Sequence, residues 1–356
     1  MKKLISNFTP DGGKHCITNA LKQIFHYYGH PLSEEMLFGL GCGISFCYMN
    51  QASSPMVNGR SKPFVFEEIL ANRLNITIRC RKPKDNTTAF AAARQSIDRN
   101  HPLFIYADMP YLKYLNLEED YHFGGHAVVL FGYDDDQNAF YISDRDSSDH
   151  PIRTPKGEIA RDYHLVSYEE VADARSSCHR PFPAHNKYLE FDFANIQAVS
   201  KEIILDAVRE NSLSMLNAPA HLLGLNGIEK FTKEVLKWEN FDLEKRKRTG
   251  TTNYFMINED GGTGGGLFRK MYGCFLIEAS QQTGLQSFAE IGKRFLSVGD
   301  LWDDIADRLW TLSETGDIEL LPDISETART IHTLETELFQ ELLNNTSNTP
   351  SSRKPY

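Results

Sequence analysis

The sequence predicts an α+β domain followed by an all-α domain. Short apolar and alternating segments, typical of strands, mix with amphipathic helical patterns up to about residue 192. The strongest signal is a hairpin, in which two apolar runs flank the polar turn 134–138. From about residue 198 the pattern is helical. We therefore expect an α+β domain over residues 1–196, a helical domain over 197–344 and a disordered polar tail over 345–356.

The predicted elements can be assigned in chain order. The turn-rich segment Asp11–His15 leads into a helix whose apolar stripe comprises Ile17, Ala20, Leu21, Ile24, Phe25 and Tyr28. Next come a helix behind the cap Ser33, an irregular segment at 39–60, a helix at 64–74, a strand at 77–80, a helix at 89–99 and a buried strand at 102–107. The hairpin strands are 126–133 and 139–143, and 188–193 is the last strand. The helices of the second domain are 199–211, 217–238, 265–283, 285–297, 299–314 and 324–344.

Composition narrows the functional class. The chain has 356 residues, of which 41% are hydrophobic and 24% charged, so it can build a core and is not broadly disordered. A net charge of −10 argues against general binding to nucleic acid or anionic membranes. The N-terminus lacks the apolar core of a signal peptide, and no apolar run reaches the roughly 18 residues of a membrane span. The six cysteines form no CxxC pair, so we expect free thiols in a reducing cytoplasm.

Cys16 opens the first helix, a position that favours an ionised thiol. Unsatisfied N–H groups and the helix dipole stabilise a thiolate there. A free cysteine is otherwise most often a small buried hydrophobe. Catalysis is favoured because a histidine and aspartates follow downstream, in the order nucleophile, base and orienting carboxylate. His15 could tune the thiolate, although a surface or capping role is the simpler interpretation.

The hairpin brings His126 towards two aspartates. If Tyr133 faces residue 139, His126 faces residue 146 and lies diagonal to residue 144, and a two-residue shift puts it opposite Asp144. In both registers Asp144 and Asp146 share the face of His126. A neighbouring carboxylate fixes the tautomer of an imidazole and stabilises its cation. The hairpin therefore supplies a base and an orienting carboxylate, with both aspartates as candidates.

Weaker candidates lie around this hairpin. Asp108, Tyr111 and Tyr114 follow a predicted strand, where they could line a cleft and hold an amine or could equally form a solvated loop. With Asp146 they are the candidate substrate-binding residues. His122 and His126 have a zinc-like spacing, but glycines between them exclude a helix, so we expect no metal site.

Several motifs resemble the BtrH-type acyltransferase family. In the N-terminal part these are His15-Cys16 with its helix, Leu37–Gly41, Phe123–His126 and Ser143–Asp146, and in the C-terminal part they are Gly264–Tyr272 and Phe275–Ala279. The prototype of that family moves an amino-acyl group from an acyl carrier protein to an aminoglycoside amine. The resemblance implies a papain-like fold, with a helix bearing the cysteine and an antiparallel sheet bearing histidine and aspartate.

The resemblance also implies roles for individual residues. Cys16 takes the acyl group from a carrier thioester, His126 acts as the base, and Asp144 rather than Asp146 orients it. The enzyme needs no cofactor of its own, because the phosphopantetheine arm of the carrier protein delivers the acyl group. The expected partners are an acyl or peptidyl carrier protein and a small-molecule amine, and a homodimer is left open. The alternative is a papain-like thioesterase or peptidase with the same triad.

One departure concerns the oxyanion hole. Papain-like enzymes usually place a glutamine six residues before the cysteine, and this position is Pro10 here. The backbone N–H of Cys16 can supply one donor. Asn7 and Asn19 are nearby candidates for the other donor.

Overall fold

The computed structural model describes residues 1–51, 53–119, 121–154, 157–180 and 182–346. The strands are β1 (Lys2–Leu4), β2 (Ile44–Met49), β3 (Met56–Arg60), β4 (Thr77–Arg81), β5 (Leu103–Ala107), β6 (His126–Asp134), β7 (Ala139–Ser143), β8 (Ile152–Thr154), β9 (Gly157–Ile159), β10 (His164–Ser167) and β11 (Tyr188–Asp192). The α-helices are α1 (Cys16–Tyr27), α2 (Glu34–Leu40), α3 (Val65–Leu74), α4 (Asn86–Asp98), α5 (Tyr168–Ser176), α6 (Lys201–Leu216), α7 (Gly224–Glu234), α8 (Leu243–Ile257), α9 (Arg269–Thr283), α10 (Gln286–Thr315) and α11 (Leu320–Thr346). Helices mixed with antiparallel strands, followed by a helical C-terminal part, confirm the predicted α+β class.

The first compact unit comprises Met1–Leu37 and Asn75–Ile196 and is built on one antiparallel sheet. The strand order is β10-β7-β6-β5-β11-β4, and β1 pairs with the end of β6. Every residue of β6 is buried, which fits its continuous run of branched and aromatic residues. Helix α1 packs against β5 and β6 through its apolar stripe. This packing places the start of α1 beside the start of β6.

The second compact unit comprises Phe38–Leu74 and the chain from Gln197 onward. Strands β2 and β3 form a hairpin whose backbone N–H groups bond to later parts of this unit: Tyr48 N donates to Leu222 O at 2.9 Å, and Val57 N donates to the side-chain oxygen Asn253 Oδ1 at 2.9 Å. Helix α10 packs against α8, α9 and α11.

A buried ion pair lies inside this second unit. The Arg269 guanidinium forms two hydrogen bonds to the Glu335 carboxylate at 2.7 and 3.0 Å, and both side chains are fully buried. Trp302 Nε1 donates to the same carboxylate at 3.2 Å. The Glu335 carboxylate thus accepts three hydrogen bonds, so the buried charges of the pair are both partnered.

The structure corrects the expectation for residues 38–74. The segment 39–60 was predicted to be irregular and to belong to the first domain, but it contains β2 and β3 and groups with the second unit. The reason is that these strands form hydrogen bonds to the Leu222 backbone and the Asn253 side chain, which no local sequence pattern indicates. The predicted domain boundary at residue 196 otherwise stays a prediction.

The helical region also differs in detail. The predicted helices 285–297 and 299–314 form one helix, α10, and α8 was not predicted at all. Gly299 lies within α10, where its small size permits a close contact: a Cβ on it would lie 2.5 Å from Lys270 Cγ. Residues 345 and 346 of the predicted tail end α11, and 347–356 lie outside the described residues. None of the described helices combines the length and the apolar character needed to cross a bilayer.

Candidate active site

Cys16 is the first residue of α1 and is buried. The preceding residue, His15, has an extended backbone and caps the helix through its side chain, which accepts from Thr18 N. The approach to the helix is fixed by the buried carboxylate of Glu34, which accepts from Lys14 N at 2.9 Å and His15 N at 3.1 Å. The predicted position of the thiol at a helix N-terminus is confirmed.

His126 begins β6 and pairs with Ala107 of β5. Its ring is almost fully buried. The preceding Gly124 is required by a close approach of backbone, because a Cβ there would lie 2.5 Å from Phe182 O and 2.6 Å from Ala184 N. Gly124 therefore allows the close approach of another backbone segment that the sequence indicated.

Asp144 follows β7 directly and accepts hydrogen bonds on both carboxylate oxygens. Oδ2 lies 2.7 Å from His126 Nε2 and also accepts from the Tyr114 hydroxyl at 2.7 Å. Oδ1 accepts from Arg145 N at 2.7 Å. Asp144 thus contacts Nε2, and the interaction between the His126 and Cys16 side chains raises the pKa of His126 and lowers that of Cys16. These contacts bring the predicted nucleophile, base and carboxylate together in one buried cluster.

The strand register explains how the hairpin achieves this. Near the turn Tyr133 pairs with Phe140, one residue away from the predicted position 139. A bulge between Leu130 and Gly132 then shifts the register, and Val129 pairs with Ser143. The shift restores the predicted register near the site, in which residues 126 and 144 lie on the same face of the hairpin.

Asp146, the other candidate, has a different partner. Its carboxylate lies 2.8 and 3.0 Å from His164 Nε2, on the neighbouring strand β10, and it accepts from Arg161 N at 2.9 Å. The His164 ring stacks on Tyr114, with centroids 3.7 Å apart. The sequence missed this second aspartate–histidine pair, since it requires the position of β10.

The charges of the cluster are strongly coupled. Burial alone would lower the pKa of His126, but the charge and hydrogen bond of Asp144 outweigh it and raise this pKa to about 10. Burial would raise the pKa of the Asp144 carboxyl, yet His126, Tyr114 and Arg145 N lower it to about 2. Burial would also raise the pKa of the Cys16 thiol, whereas the charge of His15 and the hydrogen bond of His126 hold it well below its ordinary value. The favoured state is a thiolate beside an imidazolium.

Asp108 directly follows β5, as the sequence predicted, and is buried. Its side chain has no exposed surface, and its carboxylate accepts from Phe123 N at 2.7 Å, from the Ser177 hydroxyl and, at 2.8 Å, contacts His122 Nδ1. Through these contacts it anchors the loop that precedes His126, and its role in substrate binding stays a prediction. Tyr111 packs near the His122 ring at a centroid distance of 5.9 Å.

Comparison with known families covers both parts of the chain. Residues 15–145 match the family described as "Butirosin biosynthesis protein H, N-terminal", and residues 169–342 match a domain of unknown function, DUF4872. The first match contains Cys16, His126 and Asp144. The N-terminal part of the chain belongs to the BtrH-type family. A search of curated proteins found no match to the chain.

The candidate oxyanion donors of this BtrH-type segment are only partly supported. Cys16 N lies in the first turn of α1, where backbone N–H groups have no acceptor within the helix. Asn19 is not placed as a donor, because its Nδ2 already donates to Asp11 O at 3.1 Å and Asp144 O at 2.9 Å. Asn7 is exposed and has a positive φ of 63°. Asn19 instead ties the turn before Cys16 to the backbone of Asp144.

The sequence analysis underestimated the burial of His15 and its effect on the pKa of Cys16. The capping role is confirmed, but the surface role is wrong, because only 3% of His15 is exposed. The sequence signal for this proximity is the motif itself, in which a histidine at the cap position directly precedes the cysteine at the helix start.

Among the described residues, no group of three or more histidine, cysteine or acidic side chains could hold a metal ion. His122 and His126 contact different carboxylates. His122 Nδ1 lies 2.8 Å from Asp108 Oδ2, and His126 Nε2 lies 2.7 Å from Asp144 Oδ2.

Proposed function

We propose that this protein is a cysteine-dependent acyltransferase that forms an amide bond. It takes an acyl group from the thioester of an acyl or peptidyl carrier protein and passes it through Cys16 to a small-molecule amine. The observation that carries this proposal is the buried Cys16–His126–Asp144 cluster, which lies inside the segment that matches a family named for butirosin biosynthesis. A helix bearing the cysteine against an antiparallel sheet bearing the other two supports a papain-like catalytic fold.

The first half-reaction uses the ion pair. The Cys16 thiolate attacks the thioester carbonyl, and the Cys16 N–H is placed to stabilise the oxyanion that forms. When the intermediate collapses, the carbon–sulfur bond of the donor breaks and the phosphopantetheine thiol leaves with a proton from His126. The result is an S-acyl cysteine beside a neutral imidazole.

The second half-reaction returns the site to its starting state. A neutral amine attacks the S-acyl carbonyl, and His126 takes a proton from the attacking nitrogen. The carbon–sulfur bond then breaks, which releases the amide and regenerates the thiolate and imidazolium. Asp144 orients the ring and stabilises its cation throughout. The phosphopantetheine arm belongs to the donor, so the proposal requires no cofactor held by this chain.

Transfer and hydrolysis use the same S-acyl intermediate and differ only in the nucleophile that resolves it. A thioester is already activated, so the outcome depends on the position of the amine and the exclusion of water. A thioesterase or peptidase with this triad is therefore the competing function.

The two functions can be separated by product analysis. We expect a phosphopantetheinylated carrier protein, loaded with amino-acyl or short acyl groups, to yield amide when aminoglycoside amines are added. The amide must form at the expense of free acid, as measured by chromatography with mass detection. Rapid release of free acid that no amine changes would overturn the transferase proposal and favour the hydrolase.

A further inference from the structure

A basic segment of the first unit lies at one edge of its sheet. Four of the six residues 79–84 are basic, in a chain whose net charge is −10. The first part of this segment is the end of β4, the last strand in the order of the sheet. The side chains of Arg79, Arg81, Lys82 and Lys84 are all exposed. The segment is therefore a positively charged surface on a protein that is acidic as a whole.

A second segment adds cations at the same place. In the register of β4 with β11, Arg81 pairs with Tyr188, so Lys82 and Lys187 follow as neighbours just beyond this pair. His185 lies close to both lysines: burial lowers the pKa of His185, and the charges of Lys82 and Lys187 lower it further. Basic side chains on an edge strand can serve to keep sheets from associating. That role requires no cations from a separate loop, so the convergence of two segments indicates a partner of opposite charge.

Most of the exposed charge of residues 79–84 is not neutralised within the fold. Arg81 Nε lies 2.8 Å from Glu190 Oε2. Asp85, the next residue along the chain, accepts from Thr88 N at 2.7 Å as the N-cap of α4. Within the part of the chain that the structure describes, the other three exposed cations of residues 79–84 form no ion pair. Their charge is therefore available to a partner.

The register of the sheet places this surface at the same end as His126. His126 pairs with Ala107 at the end of β5. Ile105 of the same strand pairs with Tyr188 at the start of β11, and Tyr188 pairs with Arg81 at the end of β4. In the strand order β6-β5-β11-β4, β4 lies three strand spacings from β6, which is about 14 Å at about 4.8 Å per spacing. The cations therefore lie at the end of the sheet where the candidate active site is built.

We propose that this basic edge, which comprises Arg79, Lys82, Lys84, His185 and Lys187, docks an acidic face of the carrier protein that brings the acyl group. The inference rests on the proposed function and names the surface that binds its protein substrate. The carrier protein is anionic where its arm begins, because a phosphodiester joins phosphopantetheine to the protein. From a carrier protein held at β4, the arm extends along the end of the sheet towards the site. Opposite charges speed such an encounter and orient it, and added salt weakens their attraction.

The test compares two donors that carry the same acyl group. One is an acidic carrier protein with an acylated phosphopantetheine arm, and the other is S-acyl pantetheine, which has neither the protein nor the phosphate. The rate at which each donor loses its acyl group is followed by chromatography with mass detection. For Lys82→Glu at low ionic strength, we expect the KM for the carrier protein to rise at least about 10-fold, with kcat near that of the wild type. Both constants for S-acyl pantetheine should stay unchanged.

Two further variants and a salt series complete the test. Lys84→Glu reverses a charge outside β4 and should raise the same KM. Lys293→Glu, at an exposed position of α10, changes the net charge equally and is the matched control that should behave like the wild type. Added salt should raise the KM of the wild type for the carrier protein more than that of Lys82→Glu, because the variant has lost part of the attraction.

The outcomes separate this inference from the proposed function. If the wild type uses both donors and the variants Lys82→Glu and Lys84→Glu keep its KM for the carrier protein, the docking surface is overturned. An equal loss with both donors would also overturn it, because the effect would then lie in the site. Release of the acyl group as free acid, with the KM difference intact, would contradict the transferase and support the docking surface. If the wild type takes the acyl group from neither donor, the proposed function fails and this inference falls with it. Should Lys82→Glu fail to fold by circular dichroism, Lys84→Glu decides.

Discussion

The most informative substitution in the triad is Asp144→Asn, because it removes a charge and leaves the shape almost unchanged. The carboxylate contacts His126 Nε2 at 2.7 Å, and it is the main reason that the pKa of His126 is raised to about 10 from 6.5. Asparagine at this position keeps one acceptor oxygen but carries no charge. Its NH₂ group would replace one carboxylate oxygen and would then face a hydrogen-bond donor, either the Tyr114 hydroxyl or Arg145 N.

The size of the effect follows from that pKa. Without Asp144, burial of His126 lowers its pKa, so we expect a fall from about 10 towards 6.5 or below. The imidazolium then no longer stabilises the Cys16 thiolate, and the pKa of the thiol rises. A rise of one to two pKa units reduces the ratio of thiolate to thiol at a given pH by about 10- to 100-fold. The stabilisation of the native state by a raised His126 pKa is complete below pH 6.5 and is lost as pH rises through about 10, so this alkaline loss should also disappear in the variant.

The assay is iodoacetamide alkylation of Cys16 from pH 5 to 10, with the adduct located by mass spectrometry. Asp146→Asn is the matched control, because its carboxylate serves His164 and not His126. We expect Asp144→Asn to lose reactivity at pH 6 and to recover it above pH 9, and Asp146→Asn to follow the wild type. Equal rates for Asp144→Asn and the wild type at pH 6 would refute this account of the ion pair.

Two further substitutions test the surroundings of the triad. Tyr114→Phe removes one donor from the Asp144 carboxylate, so we expect the free energy of unfolding in urea at pH 7 to fall by about 1.5–3 kcal/mol. Because the pKa of Asp144 then rises from about 2, acid unfolding should begin at higher pH, and an unchanged acid midpoint would contradict the assignment. Gly13→Ala places a Cβ 2.1 Å from Glu34 Oε1 and 2.7 Å from Asn19 Oδ1, so we expect a loss of about 1–3 kcal/mol together with slower alkylation of Cys16. A melting temperature equal to that of the wild type would show that the turn tolerates the methyl group.

The parts of the site that the sequence could predict are those encoded by local patterns. The amphipathic stripe placed Cys16 at a helix start, and the two apolar runs that flank the polar turn 134–138 placed His126 and Asp144 on one hairpin. Both signals lie within a short stretch of sequence. The pairing near the turn differs from the expected one by one residue, because a bulge between Leu130 and Gly132 shifts the register.

The parts that the sequence could not predict depend on contacts between distant segments. The hairpin register left both Asp144 and Asp146 as candidates, and the contact of Asp146 with His164 depends on the position of β10. The burial of Asp108 follows from donors on two loops, one at Phe123 and one at Ser177. Likewise, the β2–β3 hairpin joins the second unit through bonds to Leu222 and Asn253, which no motif in residues 38–74 indicates.

The central claim is that an acyl group rests on Cys16 on its way to an amine. The direct measurement is intact-mass and peptide mass spectrometry of the enzyme after it is mixed with an acyl-loaded carrier protein in the absence of amine. We predict that the wild type gains the mass of the acyl group on the peptide that contains Cys16, that adding amine discharges it as amide, and that Cys16→Ala gains no mass and loses turnover. Amide formation by Cys16→Ala at the wild-type rate, or an acyl group found on a different residue, would contradict the account.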